Sequence, residues 1–76
     1  LICDEVLKEK YLKNLGKRIV ELRLKKGWSQ RDLAFECGKE PQSIERVENG
    51  KSNPTAYYLK EIADALGVSV ADFFDF

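Results

Sequence analysis

Between Trp28 and Lys51 the chain carries two short helical patterns separated by a single glycine, Gly38, and no other stretch limits the possible fold as tightly. Ser29 opens the first pattern, with Asp32 three residues later and the apolar pair Trp28 and Leu33 on either side. A serine oxygen there can accept an unpaired backbone N–H, the aspartate can reach back to the cap, and the apolar pair fixes the angle at which the chain joins the helix. Gly38 tolerates the left-handed backbone that ends such a helix. Pro41 suits the first position of the next one, which Asn49-Gly50 closes. Two short helices joined by a tight turn make a helix-turn-helix. Leu33, Cys37, Ile44 and Val47 are its inward positions, and Ala34 is small where the two helices must approach.

The flanking sequence is helical as well. Leu12, Leu15, Ile19 and Leu22 recur at the three- and four-residue steps of one helical face, and Gly27 ends that pattern after Lys25 and Lys26. Val6, Leu7 and Tyr11 extend it back to Asp4, as one long helix or as two pieces meeting near Asn14 and Gly16. After Asn53-Pro54, Thr55 opens a helix with Leu59, Ile62, Ala63 and Leu66 on its apolar face, closed by Gly67. The capping signature of Ser29 then recurs at Ser69, with Val68, Asp72 and Phe73 in the matching places, and predicts a last helix from about Val70. The fold expected is all-α, with five helices and no strand. An N-terminal helical extension over residues 1–13 precedes a helix-turn-helix domain over residues 14–76.

A chain of 76 residues is one domain with a modest core and little room for a small-molecule site. It has no histidine, which removes the commonest general base, and two cysteines without histidine cannot make an ordinary zinc site. Neither an enzyme, a cofactor nor a metal is expected. Asp64, Asp72 and Asp75 read as surface charges. No apolar run approaches the length of a membrane span, and Leu1-Ile2-Cys3 is too short for a signal-peptide core, so a reduced, cytoplasmic setting is the expectation. Cys3 reads as an exposed or disordered thiol. The sequence contains no methionine, so residues are expected to be missing at its start. Net charge is zero, but residues 1–26 hold eight Lys/Arg against four Asp/Glu, whereas residues 54–76 hold one against four. Such polarity can orient a protein on a polyanion.

In order and at these spacings, the residues resemble the Cro/phage-repressor (XRE) type of helix-turn-helix domain from about Leu15 to Phe74. The resemblance rests on Leu15-Gly16-x-x-Ile19-x-x-Leu22-Arg23, Gly27-Trp28-Ser29-Gln30-x-x-Leu33-Ala34 and Gly38. It continues through Ser43-Ile44-x-x-Val47-Glu48-Asn49-Gly50-Lys51, Asn53-Pro54-Thr55 and Leu59-x-x-Ile62-Ala63-x-Ala65-Leu66-Gly67-Val68. It implies a five-helix repressor-like DNA-binding domain whose second and third helices form the reading pair. Its function would be to regulate transcription, most simply as a repressor dimer on palindromic double-stranded DNA.

The helix from Pro41 would then enter the major groove with its N-terminal residues toward base edges. Gln42 and Arg46 share its outer face; a glutamine amide matches adenine and a guanidinium matches guanine, whereas Ser43 could reach a base or a phosphate. Gln30, Arg31, Asn49, Lys51, Ser52, Asn53, Lys17 and Arg18 are the expected phosphate contacts. Arg23 and Glu48 match family positions that form an ion pair beneath the loop. Lys39, Glu40 and Pro41 depart from the family pattern: Lys39 stands where an apolar residue is usual, Glu40 replaces a Ser or Thr cap, and Pro41 takes a place often held by a polar reader. Phe35 falls on the outer side of its helix. Trp28 and Tyr58 read as packing residues rather than stacking platforms. Phe74 and Phe76 cannot join Phe73 in one small core; they either cover Val6, Leu7 or Tyr11 of the N-terminal helix or form a homodimer contact, and the dimer is the expectation. The rivals are a controller protein, an antitoxin subunit, or an interaction module that keeps the fold without binding DNA.

Overall fold

The computed structural model describes residues 4–76, so Cys3 lies outside the described residues. Four α-helices follow in order: α1 (Asp4–Lys25), α2 (Gln30–Cys37), α3 (Pro41–Glu48) and α4 (Ala56–Leu66). A 3₁₀ turn over Val70–Phe74 follows α4. The expected fifth helix is therefore a single 3₁₀ turn. Its Asp72 N–H reaches only three residues back, to the Ser69 carbonyl at 3.1 Å, while the Asp72 carboxylate accepts the Ser69 N–H at 3.0 Å. Phe73, fully buried, anchors the turn against the core.

At the first of the two matching signatures the box closes in both directions. Asp32 N–H donates to Ser29 Oγ at 3.1 Å and Ser29 N–H donates to Asp32 Oδ2 at 2.9 Å. Hydrogen bonding from the Ser29 backbone N–H first, and then from the Ser29 hydroxyl, holds the Asp32 carboxyl below its ordinary pKa. The α2 helix ends at Gly38 with φ 69°, the left-handed geometry expected of the turn.

α1 runs unbroken through Asn14 and Gly16, so the sequence boundary at residue 13 falls inside a continuous helix. Gly16 has a packing reason. A Cβ built there would lie 2.7 Å from the Val47 carbonyl oxygen and collide with the carbonyl of Glu48. The glycine lets α1 lie directly against the end of α3, which offsets its cost of about 1 kcal/mol in a helix interior.

The core lies between α1, α2, α3 and α4. Leu15, Ile19 and Leu22 of α1 meet Leu33 and Ala34 of α2, Ile44 and Val47 of α3, and Leu59, Ile62, Ala63 and Leu66 of α4. Cys37 and Trp28 pack at its edge, half-buried. The N-terminal half of α1 leaves this core: Val6, Leu7 and Tyr11 are exposed, and the molecule is 42 Å long but only 23 by 21 Å across.

Candidate nucleic-acid interface

α3 begins with a weak local signal. Glu40 makes no side-chain cap hydrogen bond, and Pro41 has no N–H to be capped. The start of the helix is instead tied to α4. Lys39 Nζ is 2.7 Å from Glu61 Oε1 and 5.0 Å from the centre of the Tyr58 ring. Hydrogen bonding to Glu61 raises the Lys39 pKa, so the amine stays charged. Ser43 Oγ and the Tyr58 hydroxyl are 2.7 Å apart and share a hydrogen bond. Burial pushes the Tyr58 phenol up, with the Ser43 bond opposing it.

Ser43, expected at a base or a phosphate, is thereby tied to α4. Its hydroxyl is occupied at the α3–α4 joint, and the residue is half-buried at the rim of the outer face. Gln42 and Arg46, one turn apart, are both exposed, and with Glu40 and Ser52 they line one shallow groove. The opposite face of α3 is sealed by Ile44 and Val47, at 0% and 3% exposure. Exposed amide and guanidinium groups on a helix packed this firmly can meet a ligand without the helix having to reorder.

The end of α3 is fixed by a buried ion pair. Arg23 Nε donates to Glu48 Oε2 at 2.7 Å and Arg23 Nη2 donates to Oε1 at 3.1 Å, a two-point geometry that a planar guanidinium suits. Arg23 Nη1 also donates to the Trp28 carbonyl at 2.8 Å. Gln30 joins the pair, its Nε2 donating to Glu48 Oε1 at 2.8 Å. Among the described residues no buried side-chain nitrogen or oxygen lacks a partner. Gln30, expected at the start of α2 as a phosphate contact, reaches this network across 18 residues of chain. Its amide nitrogen turns inward, and the residue is half-buried at the start of α2.

Past Glu48 the chain turns at Asn49 and Gly50. Gly50 has φ 71°, and a Cβ there would come within 2.9 Å of the Lys13 backbone, so glycine is required twice over. Lys51 and Asn53 are exposed, Ser52 is half-buried, and Lys51 N–H donates to the Arg46 carbonyl at 2.8 Å. Lys17, exposed on α1, borders the same edge as Glu48 and Asn49, and so does Lys13, which the sequence reading did not single out. Arg31 is exposed on the first turn of α2.

Arg18, expected at phosphate, has partners within the protein: its Nε donates to the Asp72 carbonyl at 2.8 Å and its Nη1 to Glu21 at 3.1 Å, with Asp75 3.9 Å away. It fastens the terminal turn to α1. Phe74 and Phe76 lie over that helix as well, their ring centres 6.1 and 5.5 Å from that of Tyr11. Of the two readings of these phenylalanines, cover for the N-terminal helix is the one the structure displays; the cluster nevertheless stays open, with Tyr11 51% and Phe76 55% exposed. Phe35, 83% exposed, faces solvent on α2.

A braced third helix with an exposed amide–guanidinium pair, preceded by a capped partner helix and followed by a polar loop, defines a helix-turn-helix domain. The chain belongs to the helix-turn-helix family HTH_3, whose model matches residues 19–73. It is 39% identical over 57 residues to the uncharacterized HTH-type transcriptional regulator y4dJ of Sinorhizobium fredii, covering 75% of this chain and 74% of that one. It is 37% identical over 62 residues to the control protein C.BamHI of Bacillus amyloliquefaciens, covering 80% and 76%. The crystal structure of the restriction-modification controller protein C.AhdI from Aeromonas hydrophila superposes with a TM-score of 0.81 at 35% identity, covering 83% of this chain and 96% of that one. The family is one of XRE/Cro-type DNA-binding transcription regulators and is not enzymatic. Its architecture here is four helices and a 3₁₀ turn, as in the controller proteins. Among the described residues no helix is long and apolar enough to cross a membrane.

Proposed function

We propose that this protein is a sequence-specific double-stranded DNA-binding transcription regulator, a cytoplasmic repressor that acts as a homodimer on a palindromic operator. The observation that carries the reading is the exposed pair Gln42 and Arg46 on one face of α3, a helix whose other face is buried and whose two ends are tied down. In the major groove the Gln42 amide would pair with adenine and the Arg46 guanidinium with guanine. Lys51, Asn49, Ser52 and Asn53 would hold the backbone after the reading helix, with Lys17, Arg31 and the start of α2 at Gln30 on either side. Phe74, Phe76 and Tyr11 supply an apolar patch at which a second copy could dock, setting two reading helices about 34 Å apart. Repression then needs only occupancy of the operator. The likeness to C.BamHI and C.AhdI favours a controller-type regulator within this class.

A second reading, an interaction module without DNA binding, draws on Glu40 beside the reading face and on the zero net charge. Selection from random duplex DNA, followed by titration at several salt concentrations, separates the two. A regulator enriches a symmetric site and loses affinity steeply with salt; failure to enrich any site overturns the proposal. On the selected site Arg46→Ala is expected to cost about 1–3 kcal/mol and to relax preference at one base position, whereas Lys51→Ala weakens all sequences alike. Equal losses on matched and scrambled DNA for Arg46→Ala would remove its role as a reader.

A further inference from the structure

We infer that the N-terminal half of α1 forms a second track for the sugar-phosphate backbone, carried by Lys8 and Lys13 and lying outside the helix-turn-helix. The inference rests on the DNA-binding reading above and extends its footprint. Lys8, Glu9 and Leu12 form one wall of a trough whose other wall is Lys51, Ser52 and Asn53. Ser52 also borders the groove that holds Gln42 and Arg46, so the trough and the reading face adjoin. The loop is pressed onto α1 at Lys13, where a Cβ on Gly50 would meet both the Lys13 backbone and its Cγ. Lys13 and Lys17 then continue the edge past Asn49. A backbone strand held by the loop would therefore run alongside α1, with ammonium groups on flexible stems within its reach. An ammonium acts as a point charge and needs no fixed geometry to neutralise a phosphate.

One contact sets the strength of this track. Lys13 Nζ is 3.5 Å from Glu9 Oε1, and both side chains are more than half exposed. Glu5 lines the trough as well. A phosphate must compete with these carboxylates, so Glu9 acts as a brake on flanking contact. The track has no base-reading group, and it adds affinity and salt dependence without adding sequence preference.

The test is fluorescence anisotropy with the selected duplex in two lengths, one extending beyond the selected site on each side and one trimmed to it, across a range of salt concentrations. Lys8→Gln with Lys13→Gln should make the log–log salt slope shallower by about two on the long duplex and leave it unchanged on the trimmed one. Glu9→Gln should tighten binding to the long duplex by roughly threefold, and that gain should vanish when Lys13 is already Gln. All three positions are exposed, so circular dichroism should show unchanged folding. An unchanged slope on the long duplex, or equal changes on both lengths, overturns the second track while leaving the reading helix intact. Absence of salt-dependent binding by the unsubstituted protein overturns the DNA-binding reading itself.

Discussion

The two halves of α1 are one helix under two different physical regimes. From Leu15 to Lys25 its inner face is shut: Leu15, Ile19 and Leu22 are core residues, Gly16 touches the end of α3, and Arg23 is locked onto Glu48. From Asp4 to Lys13 it touches the rest of the molecule through half-buried Leu12 at the edge of the core, through Gly50 and through the aromatic cluster at Tyr11. The first half is specified by packing. The second persists because extending a formed helix needs no new nucleus, helped by the Glu9–Lys13 pair one turn apart. Burial therefore decides where the helix is anchored, and propagation decides how far it extends.

Substitutions can break this contrast, and the largest effect is expected at the anchor. Glu48→Ala would leave the Arg23 guanidinium buried without its carboxylate and detach Gln30, and should cost about 3–5 kcal/mol in urea unfolding. A loss below about 1 kcal/mol would show that the pair is a surface contact in solution. Gly16→Val comes next: its side chain would press on the Val47 and Glu48 carbonyls, and a loss of about 1–3 kcal/mol with weakened DNA binding is expected, because α3 must shift to make room. The smallest effect belongs to the outer half. Tyr11→Ala should change stability by less than about 1 kcal/mol, since its ring contacts are half open to water. It should lower self-association in sedimentation if the patch is the dimer contact, and leave it unchanged if the rings only cover α1.

The same division explains what could be read from sequence. Local signals were legible: the Ser29–Asp32 box, the left-handed Gly38, Pro41 at the start of α3 and the apolar spacing of Leu15, Ile19 and Leu22 all concern neighbours within one or two turns. The matching signature at Ser69 misled in length alone, because a cap announces a start and says nothing of how many turns follow. The Arg23–Glu48 pair came from family likeness, not from spacing. Three contacts around the site had no local signal: Ser43 with Tyr58, Gln30 with Glu48, and Arg18 with Asp72 lie 15, 18 and 54 residues apart in the chain. Each side chain has a protein partner that no spacing along the chain announces. Lys13 shows the converse, an ordinary surface lysine in the sequence that packing of Gly50 brings to the loop.

The hydroxyl shared by Ser43 and Tyr58 bears on how this domain could be retargeted. Randomising every polar position of α3 would sever a joint between two helices along with the proposed recognition surface, and library members would be lost to misfolding rather than to altered preference. Diversifying positions 42, 45 and 46 while keeping the serine and tyrosine confines the search to side chains that already face outward, and so varies the proposed recognition surface without cutting the joint beneath it.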